Sequence, residues 1–280
     1  MRFSQKLVLK YIRSKFALMS ALSKKRTARE AFRLFCTPQY RNKKKLPPVF
    51  EKSEKLQLSF ESQTLRGYRW NAGAAKKVLI LHGFESSVIN FDRYVKPLVK
   101  KGYEVLAFDA PAHGRSSGTT INVLLYKNMI AAINKAYGPI HAFMAHSLGG
   151  LALALFMEEH PHDAETRVVF IAPAMETVRA IDNFFAFLRL DAGVRAEFDR
   201  EITALGGQPP SWFSITRAAA HIKASVLFLQ DKDDDMTPLA DVEPLIRKSY
   251  PNFQFIISEG LGHRRIYRDN KSSKAIIDFL

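Results

Sequence analysis

Serine, histidine and aspartate residues follow several apolar runs of this sequence, and together these residue types could carry out acyl transfer. Ser147 lies in AHSLGG, His263 lies in GLGHRR, and the aspartate-rich stretch DKDDDMTP lies between them. A serine hydroxyl attacks a carbonyl well only when a base takes its proton, and an imidazole, with an unperturbed pKa of about 6.5, suits that task. The sequence therefore predicts a serine nucleophile with His146 and His263 as candidate bases.

Short apolar runs separated by helix-length segments predict the scaffold. The runs are KVLILH, YEVLAFD, HAFMAH, RVVFIA, SVLFLQ and FQFIIS, and they follow an alternating pair, LQLSF and LRGYRW. Strands that are apolar on both faces are typical of a parallel sheet covered by helices, whereas alternation favours an antiparallel pair. Enzymes with such sheets place their sites beyond the carboxyl ends of the strands, where the reactive residues of this chain lie.

The chain divides into an N-terminal extension and a larger body. Apolar residues at helical spacing predict a basic amphipathic extension over residues 1–50, which ends in a linker that contains Pro47-Pro48. Residues 51–280 form the body. Between RVVFIAPA and SVLFLQ lie about fifty residues, too many for one crossover, so we predict a helical insertion at about residues 175–214.

The net charge of +15 belongs mainly to the extension. Residues 1–50 hold 14 of the 42 Lys and Arg residues and one acidic residue, Glu30, so the body is nearly neutral. No recognition motif accompanies the basic residues, and we therefore predict no nucleic-acid partner. The extension is expected to pack its apolar face on the body, and peripheral contact with an anionic membrane surface stays open as an alternative.

The single cysteine, Cys36, excludes an internal disulfide bond. With no recognisable signal peptide or membrane span, these features predict a cytoplasmic location, with contact at the inner face of a membrane left open. The sequence makes no prediction of the oligomeric state.

The motifs and their order resemble those of the α/β-hydrolase superfamily. HG at residues 82–83, DAPAHGRS at 109–116, AHSLG at 145–149, an acid before Pro238 and GLGH ending at His263 occur in the superfamily's order, and the resemblance covers residues 55–280. The pattern G-x-S-x-G is met except that alanine replaces the first glycine. The resemblance implies an α/β fold with a mostly parallel central sheet flanked by helices, a small helical cap insertion and the N-terminal helical extension.

The resemblance also implies a role for each reactive residue. Ser147 is the nucleophile, His263 is the base, and Asp234, four residues before Pro238, orients the imidazole, with Asp233 as the alternative acid. His146 is interpreted as a packing or hydrogen-bonding residue, because the side chain before an elbow nucleophile points away from it.

Three further features concern the substrate and its surroundings. The backbone N–H groups of Phe84 and Leu148 are expected to form the oxyanion hole. Phe184, Phe187 and Trp212 of the insertion are candidate lining residues of an apolar substrate pocket. No metal or other cofactor is expected: the spacing of the aspartates in DKDDDM starts like a calcium loop, but the required glycine and glutamate are missing.

These predictions describe a serine hydrolase, in the first place a carboxylesterase that acts on a small or medium apolar acyl ester through an acyl-enzyme. A thioesterase, lysophospholipase or peptidase on the same triad is the alternative, because acyl transfer does not distinguish leaving groups. A catalytically inactive binding protein with this fold is a second alternative from a different class.

Overall fold

A computed structural model describes residues 3–280 of the chain, so Met1 and Arg2 of the predicted extension lie outside the described residues. The chain forms two compact units. Unit 1 contains the described part of Met1–Thr37 together with Glu176–Ser214, and unit 2 contains Pro38–Met175 and Ile215–Leu280. The predicted division at residue 50 therefore differs from the observed one, since residues 38–50 belong to unit 2 and the N-terminal helices group with the insertion.

Unit 2 is built on an eight-stranded sheet in the order β1-β2-β4-β3-β5-β6-β7-β8. The strands are β1 Glu54–Phe60, β2 Gln63–Trp70, β3 Lys76–Leu81, β4 Tyr103–Phe108, β5 Ala142–His146, β6 Arg167–Ile171, β7 Ser225–Asp231 and β8 Phe253–Ser258. The pairs β1–β2 and β2–β4 are antiparallel, and all other neighbouring pairs are parallel. The predicted antiparallel pair and parallel sheet are both confirmed.

Helices connect the strands of unit 2 because parallel neighbours need crossovers. They are α3 Pro48–Glu51, α4 Asp92–Lys100, α5 Val123–Tyr137, α6 Leu148–Glu159, α9 Ile215–Ala218, α10 Leu239–Lys248, α11 Gly262–Arg265 and α12 Asn270–Phe279. Every residue of β4 is buried, as is every residue from Gly149 to Met157 in α6. Strands apolar on both faces are therefore covered, as the sequence predicts, and the α/β fold with flanking helices is confirmed.

The strand order identifies the position in the sheet where a ligand would be expected to bind. The chain passes from β3 to β4 on one side of the sheet and then continues with β5 on the other side of β3. In sheets of this kind, ligands bind beyond the carboxyl ends of the strands where the strand order reverses. The loops after β3 and β5 meet at that position, and they carry Phe84 and Ser147 respectively.

Unit 1 consists of four main helices: α1 Phe3–Leu22, α2 Lys24–Phe35, α7 Thr177–Leu188 and α8 Ala192–Gly206. The fully buried Ala28 and Ala31 allow α2 to lie close to α8. The ring of Phe198 on α8 makes edge contacts with Phe32 and Phe35 of α2, with centroids 5.5 and 5.8 Å away. The N-terminal helices thus share one aromatic core with the insertion. Among residues 3–280, no helix combines the length and apolar character that crossing a bilayer requires.

Phe198→Ala should destabilise unit 1, because the side chain is fully buried and its removal leaves a cavity among aromatic rings. We expect a loss of about 3–5 kcal/mol in the free energy of unfolding. The measurement is urea unfolding followed by circular dichroism. Leu205→Ala, on the exposed face of the same helix, is the matched control and should change the unfolding midpoint little. Equal effects of the two substitutions would contradict this description of the unit 1 core.

Candidate active site

Ser147 lies in a sharp turn between β5 and α6. Its backbone has φ 53° and ψ −123°, a conformation that side-chain-bearing residues rarely adopt. The turn is held by the surrounding backbone: Ser147 N–H donates to Ile171 O over 3.2 Å, and Ala174 N–H donates to Ser147 O over 3.1 Å. A strained turn fixed in this way exposes the hydroxyl at the end of the strand.

Small residues around the turn are required by close packing. A Cβ atom on Gly149 would lie 2.7 Å from the His82 carbonyl oxygen, and one on Gly150 would lie 2.5 Å from the Pro173 Cβ. Ala145, where the superfamily pattern has glycine, is fully buried within β5. The site thus accommodates the additional methyl group of this alanine.

A row of two hydrogen bonds joins three residues that are distant in the sequence. The Nε2 atom of His263 lies 3.0 Å from Ser147 Oγ, and its Nδ1 atom lies 2.8 Å from Asp234 Oδ2. His263 and Asp234 are both buried, with 7% and 3% of their surfaces exposed. The structure therefore brings the predicted nucleophile, base and acid together in the order that acyl transfer needs.

Asp234 is held as a carboxylate by several donors. Its Oδ1 accepts hydrogen bonds from Met236 N and Thr237 N at 2.9 and 2.8 Å, and its Oδ2 accepts one from Thr237 Oγ1 at 2.7 Å. Burial alone would raise the pKa of Asp234, but the hydrogen bonds from His263 and Thr237 outweigh it and hold the pKa below its usual value. Thr237 was not among the predicted site residues; the sequence signal available for this loop is that an aspartate in a turn commonly accepts a hydrogen bond from the backbone N–H two residues on.

The other aspartates of the loop have different positions. Asp233 is exposed and accepts a hydrogen bond from Gly260 N at 2.7 Å, and Asp235 is also exposed. Asp231 is buried and accepts hydrogen bonds from Gly262 N at 2.8 Å and from Ser258 Oγ at 2.6 Å. Asp234, and not Asp233, therefore contacts His263. Asp231 holds the backbone of the loop that carries His263.

The loop after β3 passes directly beside Ser147. A Cβ atom on Gly83 would lie 2.7 Å from Ser147 Cβ and 3.3 Å from Ser147 Oγ, so only glycine fits there. Leu148 begins α6, and N–H groups in a first helical turn lack acceptors within the helix. Both segments that were predicted to supply oxyanion donors, around Phe84 and Leu148, thus border the serine.

Two neutral histidines anchor the loop after β3 to the loop after β4. His82 Nε2 accepts a hydrogen bond from Ala110 N, and His113 Nε2 accepts one from Glu85 N, both over 2.9 Å. Burial lowers the pKa of His82 to about 4 and that of His113 to about 3, so both rings stay neutral and can accept these bonds. The position of Phe84 between them is therefore defined on both sides.

His146 contacts the segment that carries His263. Its Nε2–H donates to the backbone oxygen of His263 over 3.0 Å, and the two ring centroids are 4.7 Å apart. Burial, followed by the proximity of His263, lowers the pKa of His146 to about 3. His146 is thus a neutral, buried residue that helps to position His263, and the hydrogen bond to Ser147 comes from His263.

The predicted pocket residues Phe184, Phe187 and Trp212 all lie in unit 1. Phe184 packs edge-on against Phe35, whereas Phe187 is 51% exposed and has the Arg13 guanidinium over its ring. A role for these residues in substrate binding stays a prediction. Within the described residues, no group of three or more His, Cys, Asp or Glu side chains is arranged to hold a metal ion.

Comparison with protein families identifies the class of this fold and site. Residues 72–214 match the family described as serine aminopeptidase, S33. The chain belongs to this family, within the α/β-hydrolase superfamily, which confirms the resemblance seen in the motifs. 

Curated relatives and solved structures agree with this assignment. A hydrolase of Cupriavidus pinatubonensis, named for 2-hydroxy-6-oxononadienedioate and 2-hydroxy-6-oxononatrienedioate, is 23% identical over 74% of this chain and 87% of its own length. Protein YqkD of Bacillus subtilis is 24% identical over 72% of this chain and 70% of its own. The esterase Pf2001 of Pyrococcus furiosus superposes with a TM-score of 0.64 at 21% identity and covers 87% of this chain and 95% of its own. At this identity the structural likeness shows the fold alone.

Asp234→Asn should alter the dependence of stability on acid pH. A carboxylate whose pKa is depressed by folding contributes stability above its unfolded pKa of about 3.9, and the contribution is lost as the pH falls through the folded value. We expect the difference in unfolding free energy between wild type and variant to shrink as the pH falls below about 4. Urea unfolding from pH 6 downwards measures it. A difference that stays constant down to pH 3 would contradict the depressed pKa.

Proposed function

We propose that this protein is a serine carboxylesterase that hydrolyses apolar acyl esters through an acyl-enzyme. The observation that carries the proposal is the hydrogen-bonded row in which His263 lies 3.0 Å from Ser147 Oγ and 2.8 Å from Asp234. Both donor–acceptor distances in the row are short enough for proton transfer. The esterase Pf2001, whose fold is similar, supports the choice of an ester substrate.

In the first half of the reaction, Ser147 Oγ attacks the carbonyl carbon of the ester while its proton passes to Nε2 of His263. Asp234 stabilises the resulting imidazolium and fixes the ring so that Nδ1 carries its proton toward the carboxylate. The N–H groups of Phe84 and Leu148 donate to the oxyanion of the tetrahedral intermediate. The intermediate collapses when the C–O bond to the alcohol breaks and His263 gives its proton to the departing oxygen.

In the second half, the base acts on water. His263 Nε2 takes a proton from a water molecule whose oxygen attacks the acyl carbon of the ester bond to Ser147. The same oxyanion donors hold the second intermediate. Its collapse releases the carboxylic acid and returns the proton to Ser147 Oγ, so the enzyme is regenerated with atoms and protons balanced.

The leaving group is a matter for measurement, because a Ser-His-Asp row can protonate oxygen, sulfur or nitrogen leaving groups. The family description names an aminopeptidase, and a thioesterase domain from the curacin biosynthetic pathway has a similar fold with a TM-score of 0.57. A matched set of p-nitrophenyl ester, thioester and p-nitroanilide substrates with the same acyl chain separates these activities. We expect the highest kcat/KM for the esters. A preference of more than about tenfold for thioesters or anilides would replace the carboxylesterase proposal with the corresponding activity.

Ser147→Ala should abolish ester hydrolysis, because no other hydroxyl is bonded to His263 Nε2 within the described residues. By comparison with other serine triads, kcat should fall by up to about a millionfold. Steady-state assays with p-nitrophenyl esters of increasing chain length measure it, and Ser14→Ala, at an exposed serine of α1, should leave kcat unchanged. Hydrolysis that continues in folded Ser147→Ala protein would reject the proposed nucleophile.

Asp234→Asn and Asp233→Asn form a matched pair of neighbouring variants. Only Asp234 contacts the imidazole, so we expect kcat to fall by about ten-thousandfold in Asp234→Asn. Asp233 accepts a backbone hydrogen bond that asparagine can also accept, and kcat should stay near the wild-type value. The opposite ranking of the two variants would assign the acid to Asp233.

A further inference from the structure

Helix α1 carries apolar side chains on two different faces. One face is packed within unit 1: Phe16 is 4% exposed, and Ile12 and Met19 are partly buried. The other face is open. Its members, which we call the α1 stripe, are Leu7, Tyr11, Leu18 and Leu22, with exposures of 54%, 71%, 68% and 81%.

The stripe is a continuous surface, because its members are spaced by four, seven and four residues and an α-helix turns once every 3.6 residues. Val8, 58% exposed, extends one edge. Single exposed apolar side chains are common and need no explanation, but five on one helix form the kind of patch that marks an interaction site. Packing within unit 1 does not account for these five side chains, since Phe16 and its neighbours on another face of α1 contribute to the core of that unit.

Basic side chains form a second row beside the stripe. Lys6 and Lys10 each directly precede a stripe residue, so their row lies about 100° around the helix. With Arg13 and Arg189 they line a cleft of about 620 Å³ in unit 1, and no acidic residue lines it. Arg13 is held in place by hydrogen bonds from its guanidinium to Phe187 O, at 3.0 Å from Nε and 2.5 Å from Nη2.

Four lysines of α1 and α2 have no carboxylate partner among the described residues, whereas Lys24 pairs with Asp191 at 2.9 Å. Lys6, Lys10, Lys15 and Lys25 are exposed, and in the part of the chain that the structure describes none of them forms an ion pair. Their charge is therefore available to an external anion. Helix α1 thus presents apolar side chains next to unpaired cations. A complementary surface would have an anionic outer layer with an apolar layer beneath it.

We propose that α1 docks unit 1 on the surface of an anionic phospholipid bilayer. The α1 stripe enters the boundary between head groups and acyl chains, and the cleft formed with Lys6, Lys10, Arg13 and Arg189 receives lipid phosphate groups. A nucleic acid would use the lysines but not the stripe, and a purely apolar protein partner would use the stripe but not the lysines. The two rows together favour the lipid surface.

Binding to vesicles tests this docking with the full-length protein. Vesicles of phosphatidylcholine alone are compared with vesicles that also contain phosphatidylserine, and bound protein is measured by co-sedimentation. We expect binding to the anionic vesicles that weakens with salt and is at least about tenfold stronger than binding to neutral ones. Equal binding to both, or binding to neither, would overturn the proposal.

Variants separate the two rows. Lys6→Gln with Lys10→Gln should weaken binding to anionic vesicles by about thirtyfold, from the loss of two well-placed charges. Tyr11→Ser with Leu18→Ser should abolish most binding, since these side chains supply the inserted apolar area. Leu205→Ser, at a 56% exposed position of α8, is the control that should bind like wild type. Unchanged binding in both double variants would show that α1 is not the docking element.

Sedimentation velocity separates the lipid surface from a second copy of this chain. Monomers at all concentrations support docking on lipid. Dimers that disappear in Tyr11→Ser with Leu18→Ser would assign the stripe to self-association and overturn the proposal. These assays use no substrate, and Ser147→Ala protein should bind vesicles as wild type does, so their outcome is independent of the proposed esterase activity.

Discussion

The two hydrogen bonds made by the imidazole of His263 are the interaction on which the rest of unit 2 depends. One nitrogen faces Ser147 and the other faces Asp234, so a rotation of the ring or a shift of its loop by about 1 Å would break both bonds. Much of the surrounding structure limits such movement. Asp231 fixes the backbone just before His263, Thr237 fixes the carboxylate of Asp234, and His146 donates to the carbonyl of His263 itself.

This arrangement requires polar groups in a dry core, where an unpaired one is costly. The chain meets most of this requirement with uncharged histidines, and of their ring nitrogens only His146 Nδ1 lacks a hydrogen-bond partner among the described residues. Burial keeps the pKa of His82, His113 and His146 far below neutrality, so each ring offers one donor and one acceptor. Asp109 is different: burial raises its pKa, while Ser87 Oγ and Val88 N donate to Oδ1 and Arg115 N donates to Oδ2. These contacts define the loops on either side of Phe84 without a charged histidine.

Features determined by local sequence were predictable. Apolar runs gave the parallel strands because burial on both faces leaves no place for alternating polar residues. The elbow at Ser147 and the assignment of Asp234 were implied by the resemblance to the α/β-hydrolase superfamily, and the structure has Asp234 Oδ2 2.8 Å from His263 Nδ1. The loop contacts of Asp231, Thr237 and His146 were not predicted, because they depend on where three separate loops meet and leave no periodic signal. For the same reason an amphipathic pattern showed that α1 and α2 have an apolar face but not that this face packs on α7 and α8.

In the proposed mechanism, Ser147 becomes a nucleophile because its hydroxyl is hydrogen-bonded to His263, which is in turn hydrogen-bonded to Asp234. A fluorophosphonate reacts only with an activated hydroxyl, and peptide mass spectrometry of the native protein locates the adduct. The structure predicts a phosphonyl group on Ser147 in wild type, and none in folded His263→Ala or Asp234→Ala protein within the same labelling time. An adduct at another residue, or equal labelling of Ser147 in both variants, would contradict the account.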